Sequence, residues 1–352
     1  MFKKMIKTMR LQRAVSSETS VCLREDLLCK VADATKDGMD KVTVVGAGTV
    51  GISCANAILF QKISSHVAIV DAFPKKLEGE GLDYCHGSVF IGDPNIEYDT
   101  DFCISRNSKV VIVAAGARQK KDESRLDLVH KNVEIIKNII PPLIENSPNA
   151  TFVIVSNPVD ILSWVAWKMS DLPVNRIIGV GCHLDTARFR YLISQRLGIS
   201  SKSVHGFIIG EHGDSQVPLW SGVNVAGVLF RDILPDIGLD MDEQGWNHLI
   251  NDLIRAGSTV RCLKGYSNTA VGLAAADITK AILRNRQTVK SVSTLAQGHY
   301  DICHEMFLSL PCTVGDNGIT QVIRMRMTEH EKKLLQKSAS ILYDIQKNIK
   351  IT

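Results

Sequence analysis

The sequence predicts an α/β protein, with a doubly wound parallel sheet in its first half and a mixed α+β second half. Short β-branched runs alternate with helix-length segments from residue 41 to about residue 180, the rhythm of a parallel sheet covered on both faces. The first run ends directly in Gly46-Ala47-Gly48-Thr49-Val50-Gly51, a glycine-rich passage from strand to helix. Beyond Gly181 the alternation gives way to turn-rich stretches and longer helices.

Taken in order, Val42, Val44 and Val45 make the first strand, a helix is expected from Ile52 to about Gln61, and His66–Asp71 is the second strand. Strands are expected at Val110–Ala114, Phe152–Val155 and Ile177–Val180, with a helix around Val129–Ile140. In the second half the pattern predicts a helix over Asp185–Leu197, a strand over Val204–Ile209 and a turn-rich block to Gly227. Helices over Glu243–Val260 and Gly272–Arg284 follow, then strands at Val292–Leu295, Met306–Leu310 and Val322–Met327. A terminal helix runs from Glu329 to about Gln346. No repeat of 20–50 residues is evident, which excludes repeat architectures.

Composition sets the outer bounds. With 352 residues, 45% hydrophobic and 22% charged, the chain has the length of two globular domains and the make-up of neither a disordered nor a fibrous protein. No run of 18 apolar residues occurs, so no membrane partner is expected. The net charge of +4 is all in residues 1–20, where Lys3, Lys4, Lys7, Arg10 and Arg13 face Glu18 alone. The remainder is neutral, so no nucleic-acid partner is expected. The nine cysteines include no C-x-x-C spacing. They read as reduced thiols of an intracellular protein, with no metal site. Residues 1–20 read as a basic flexible tail; a mitochondrial presequence is the alternative, since Phe2, Met5, Ile6 and Met9 could share a helix face opposite the lysines.

Glycines at Gly46, Gly48 and Gly51, after a strand and at the opening of a helix, with Asp71 twenty residues beyond Gly51, form a dinucleotide fingerprint of Rossmann type. Gly46 permits the tight turn, Gly48 lets the backbone approach a pyrophosphate, and Gly51 lets helix and strand pack closely. The phosphates would sit at the helix N-terminus. Asp71 at the end of its strand can take the ribose hydroxyls and repel a 2′-phosphate, which favours NAD over NADP.

A second constellation lies further on. His212, in the glycine-flanked loop Glu211-His212-Gly213-Asp214, is a candidate general acid/base, with a structural histidine as the bland alternative. Asp185 and Arg188 share a helix face, as an exposed ion pair would also do. Asn157 follows the strand Phe152–Val155, at the carboxyl edge where open α/β sheets bind ligands. The polar stretch 116–125 reads as a mobile lid or a solvated connection.

Longer strings bring these residues together: AGARQ at 115–119, ESRL at 123–126, VSNPVDIL at 155–162, LDTARFR at 184–190, GEHGDS at 210–215, WSGVN at 220–224 and FLSLPC at 307–312. With them the chain resembles the animal-type L-lactate dehydrogenases of the lactate/malate dehydrogenase superfamily, from about Leu23 to its C-terminus. The resemblance implies a Rossmann-type doubly wound parallel sheet over residues 41–181 that binds NAD, and a mixed α+β substrate and catalytic domain over 182–352, preceded by an N-terminal arm at 21–40. It implies His212 as proton donor and acceptor, Asp185 as the group that orients it, Arg188 as the fork for the substrate carboxylate, and Arg125 as the group that polarises the carbonyl. It further implies Asn157 against both substrate and nicotinamide, Arg118 against the cofactor phosphates, and Gln119 as the discriminator, neutral Gln suiting pyruvate where malate enzymes place Arg. The implied activity is reversible hydride transfer between NADH and pyruvate giving (S)-lactate, a step of glycolysis, in a cytoplasmic homotetramer. Malate dehydrogenase and a catalytically silent homologue are the rival readings.

Three strings depart from the family pattern. Tyr266-Ser267-Asn268-Thr269-Ala270 stands where the family reads Y-T-S-W-A. Ser267 keeps the hydroxyl expected beside the substrate, and Thr269 in place of Trp is expected to leave unfilled volume in the pocket wall or a repacked neighbour. Asp122 stands in the lid where glycine is common, and Leu82-Asp83-Tyr84-Cys85-His86-Gly87 replaces M-D-L-Q-H-G near a subunit contact of the family.

Overall fold

The computed structural model describes residues 40–117 and 125–351, the side chains of residues 125 and 126 excepted. Arg118, Gln119 and Asp122 lie outside the described residues, as do the tail at 1–20 and the arm at 21–39.

The first half supplies six parallel strands. They are β1 (Val42–Val45), β2 (His66–Val70), β3 (Asn95–Asp99), β4 (Val110–Val113), β5 (Thr151–Ile154) and β6 (Ile177–Gly179). Their spatial order is β3-β2-β1-β4-β5-β6, the order of a dinucleotide-binding sheet, which reverses direction between β1 and β4. All residues of β1, β4 and β5 are buried, as continuous β-branched runs require when helices cover both faces. The helices are α1 (Thr49–Phe60), α2 (Pro74–Gly87), α3 (Arg125–Asn146) and α4 (Val159–Lys168).

The second half contributes two small sheets of its own and extends the main one. After α5 (His183–Leu197), short strands β7 (Val204–His205), β8 (Ile208–Ile209), β9 (Val217–Pro218), β10 (Asn224–Val225) and β11 (Val228–Leu229) build two small antiparallel sheets. Three helices follow: α6 (Phe230–Ile233), α7 (His248–Lys264) and α8 (Thr269–Leu283). Then β12 (Thr288–Leu295), β13 (Phe307–Gly315) and β14 (Gly318–Val322) join the main sheet antiparallel, β12 meeting β6 at Ser293 and Gly179. The result is one nine-stranded sheet. Helix α9 (Glu329–Gln346) closes the chain, opened by a capping box between Thr328 and Glu331.

Several expectations are corrected. The strand expected over Val204–Ile209 is two strands in different sheets. It breaks at Gly206, where a side chain would press on Phe189 and Val223. The helix expected at Glu243–Val260 begins at His248 and runs to Lys264, ended by Gly265 at φ +88°. The strand expected at Val322–Met327 lies earlier, at Gly318–Val322, because the two-residue turn Asp316-Asn317 folds it directly back on β13. The expected helix around Val129–Ile140 continues through Pro141 and Pro142 to Asn146. Helices α2 and α4 supply helical segments expected between the strands without stated bounds, whereas edge strand β3 has no counterpart among the expected strands.

Candidate active site

The glycine turn sits where the sheet order reverses. Gly46 has φ +103°, and a β-carbon there would lie 2.7 Å from the Ala115 backbone nitrogen just past β4. At Gly51 a β-carbon would fall 1.7 Å from the Gly46 carbonyl oxygen, so α1 approaches the turn closely only without a side chain. Gly48 is different: nothing lies within 4 Å of the place its β-carbon would take. The space is open, directly before the first turn of α1, which carries no side-chain cap and no acidic residue. Backbone N–H groups there lack helical partners and suit an anion. Asp71 closes the arrangement from the end of β2. Its Oδ2 accepts the Ala47 N–H at 2.6 Å and its Oδ1 accepts the Phe73 N–H at 2.9 Å. The open space, the bare helix end and the carboxylate together fit a dinucleotide with a free 2′-hydroxyl.

The second constellation gathers around the loop 210–215, which is tied to the protein at successive residues. Gly210 exchanges both backbone hydrogen bonds with Ser309 of β13. Glu211 donates its N–H to Ser338 Oγ of α9 at 3.0 Å. His212 donates its N–H to Asp160 Oδ2 of α4 at 2.8 Å. At Gly213 a β-carbon would lie 2.8 Å from the Glu211 carboxylate, which explains the glycine. Ser215 Oγ donates to Glu211 Oε2 at 2.5 Å.

Held this way, the His212 ring turns its Nδ1 to Asp185 Oδ2 at 2.5 Å. Asp185 is buried, and its other oxygen accepts from Arg188 Nη1 at 3.0 Å. The pair is therefore no exposed ion pair. Burial pulls the His212 pKa down, but the Asp185 carboxylate outweighs it and the net direction is up. Burial pushes the Asp185 carboxyl up, while His212 and Arg188 outweigh it and hold it below its ordinary value. With Nδ1 engaged, Nε2 is left as the working nitrogen.

His212, Asp185, Arg188 and Asn157 line one cavity of about 350 Å³, with Pro158, Asp214, Gln216 and the α7 residues Ile254, Gly257, Ser258 and Arg261. The Asn157-Pro158 peptide is cis. Asn132 Nδ2 donates to the Asn157 carbonyl at 2.8 Å, and Asn132 Oδ1 accepts from Ala117 N at 2.7 Å. That pair of bonds joins the ends of β4 and β5. Arg125 begins α3, and its side chain lies outside the described residues. Ser267 is half-buried before α8 and is not in the cavity wall, and Thr269 is exposed. The volume expected from Thr269 therefore does not open into this cavity. Asp160 was assigned no role in the sequence. It is a lone carboxylate in the apolar run Val159–Leu162, and that contrast was its signal. It is buried, accepts from Ser293 Oγ at 2.6 Å, and burial pushes its pKa up to about 6.

The same two regions fall in two recognised halves. Residues 40–179 match the lactate/malate dehydrogenase NAD-binding domain, and residues 182–351 match the lactate/malate dehydrogenase alpha/beta C-terminal domain. The chain belongs to the lactate/malate dehydrogenase family. It is 48% identical over 329 residues to L-lactate dehydrogenase A-like 6A of Homo sapiens, across 94% of this chain and 99% of that protein. It is 46% identical to the L-lactate dehydrogenase C chain of Mus musculus over the same shares. Against the L-lactate dehydrogenase B chain of Rattus norvegicus the identity is 47%, across 93% of this chain and 98% of that one. The glycine turn and Asp71 fall within the matched NAD-binding domain, and the cofactor is NAD. Among the described residues no helix is long and apolar enough to cross a membrane.

Proposed function

We propose that this protein is an L-lactate dehydrogenase that interconverts pyruvate and (S)-lactate with NAD. The observation that carries it is the His212–Asp185–Arg188 chain in one cavity, with both histidine and carboxylate shifted toward their charged forms. NADH, when bound, supplies a hydride to the carbonyl carbon of the 2-oxo acid. His212 then delivers the Nε2 proton to the carbonyl oxygen, and Asp185 stabilises the imidazolium until that transfer. Arg188 spends one nitrogen on Asp185 and offers its remaining N–H groups to the substrate carboxylate. Asn157, at the end of β5, positions the substrate against the nicotinamide. Arg125 polarises the carbonyl, Gln119 faces the substrate side chain, and Arg118 meets the cofactor phosphates; Ser267, which lies outside the cavity wall, takes no direct part. Gly46, Gly48, Gly51 and Asp71 hold the dinucleotide.

The same proposal places NAD binding in residues 41–181, catalysis in 182–352, and the enzyme in the cytoplasm as a homotetramer. The decisive assay follows NADH absorbance with pyruvate and with oxaloacetate. Pyruvate turnover that disappears in His212→Gln supports the proposal. Turnover of oxaloacetate with none of pyruvate, or of neither, overturns it.

A further inference from the structure

The wall of the catalytic cavity holds a second guanidinium with nothing to do in the reaction as written. Arg188 comes from α5, where Asp185 already takes one of its nitrogens. Arg261 comes from α7 and lines the same cavity. Both Arg188 Nη atoms lie within 3.7 Å of where a β-carbon on Gly257 would stand, so the guanidinium rests against the bare backbone of α7. Gly257 and Arg261 are four apart and share one face of that helix. Arg261 thus enters about one turn, ~5.4 Å, beyond the point that Arg188 touches, and helical side chains lean toward the N-terminus, back over that point. Ile254 and Ser258 line the cavity from the same stripe. Among the described residues Arg261 meets no carboxylate within ion-pair distance, and its side chain makes no hydrogen bond. Asp214, the other carboxylate in the wall besides Asp185, already has an interaction of its own.

We propose that Arg261 is a specificity-determining residue that receives the second carboxylate of a short dicarboxylic 2-oxo acid whose first carboxylate lies on Arg188. The proposal rests on the dehydrogenase function above and widens its substrate class. The missing side chain at Gly257 brings Arg188 against α7, and Arg261 follows one turn later on the same face, so the two cations flank a stretch of cavity wall that suits a short diacid. Pyruvate fills the Arg188 end alone. The neutral Gln119 does not oppose this, because the second cation comes from α7 instead of the stretch that carries Gln119. The outer part of α7 is exposed at Arg261, so the ion pair is screened and its contribution is moderate.

The test compares 2-oxoglutarate with 2-oxopentanoate, a monocarboxylate of the same carbon number, by kcat/KM in the intact protein and in Arg261→Gln and Arg261→Lys. The dicarboxylate is expected to lose about fivefold relative to the monocarboxylate in Arg261→Gln, roughly what a partly screened ion pair gives. The change should appear in KM, Arg261→Lys should restore most of it, and 0.5 M salt should shrink it in the intact protein. A selectivity ratio within twofold in all three proteins overturns the proposal. Calorimetric binding of 2-oxoglutarate in the presence of NAD+ gives a readout without turnover. Failure to reduce pyruvate while this Arg261-dependent binding persists counts against the dehydrogenase function and supports the second-carboxylate site. Pyruvate reduction without Arg261-dependent binding does the reverse.

Discussion

Asp160 is the residue whose surroundings most exceed its sequence signal. It accepts the His212 N–H and the Ser293 hydroxyl from a buried position, so it fixes the loop backbone beneath the imidazole and adds negative charge near it. Asp160→Asn keeps an acceptor for the His212 N–H and removes the charge. In the proposed mechanism pyruvate reduction needs the imidazolium, so the alkaline limb of kcat/KM should move to lower pH, by at most about one unit. The stability effect has its own sign. Burial raises the Asp160 pKa from 3.8 to about 6, so the associated stabilisation is complete below about pH 4 and lost as pH rises through about 6. The Tm of Asp160→Asn relative to the unmodified protein should therefore be higher at pH 7.5 than at pH 5, by a few °C. An unchanged pH profile and an unchanged Tm difference would show that Asp160 stays protonated. Asp71 is the second case. Because Oδ2 holds the Ala47 N–H of the glycine turn, Asp71→Ala should raise relative use of NADPH yet weaken NADH binding about tenfold, since a charge-assisted bond contributes ~1.5–3 kcal/mol. Titration of both cofactors by quenching of intrinsic fluorescence checks this; equal affinity for NADH would separate Asp71 from the turn.

At the scale of elements, the glycine turn divides into parts that serve the fold and parts that serve the ligand. Gly51→Ala must displace the Gly46 carbonyl and should lower Tm by several °C along with NADH affinity. Gly48→Ala meets open space and should leave Tm nearly unchanged in the absence of cofactor, while weakening NADH about tenfold or more. Thermal melts with and without NADH separate the two effects, and a destabilised Gly48→Ala would deny the turn its role. The elements legible in the sequence were those whose residues all face one kind of environment. Val42–Val45 and Val110–Val113 are buried on both faces and read as unbroken apolar runs. Edge strand Asn95–Asp99 is half-buried and alternates polar with apolar residues, and Pro74–Gly87 carries two internal glycines that no helix pattern favours. One of them is needed: at Gly81 a β-carbon would lie 2.3 Å from the Tyr98 ring of β3, a contact between distant residues that composition does not announce. At the site, the string matches point to His212, Asp185 and Arg188; Asp160 has only the faint signal of a lone carboxylate in an apolar run, and Arg261 becomes visible only when α7 is seen in the cavity wall.

At the scale of the whole molecule, the nine-stranded sheet runs through both family-matched halves. The NAD-binding strands and the loop proposed to carry proton transfer, held by β13 and α9, therefore share one core. Heating should give a single transition, and NADH should raise its midpoint as a whole. Two calorimetric transitions, with only the first moved by NADH, would contradict this. The seam where the halves join is unusually short of room. A β-carbon at Gly179 would lie 2.5 Å from Ser163 Oγ and 2.7 Å from Ser293 Cβ, and one at Gly181 would lie 2.3 Å from Ser309 Oγ. Two glycines from the first half and two serines from β12 and β13 thus interlock with no slack. Recombination bears directly on this. A crossover that takes residues up to 181 from one parent and the remainder from another will yield a working hybrid only when both parents bring this glycine–serine set, so the four positions should travel together as one heritable block.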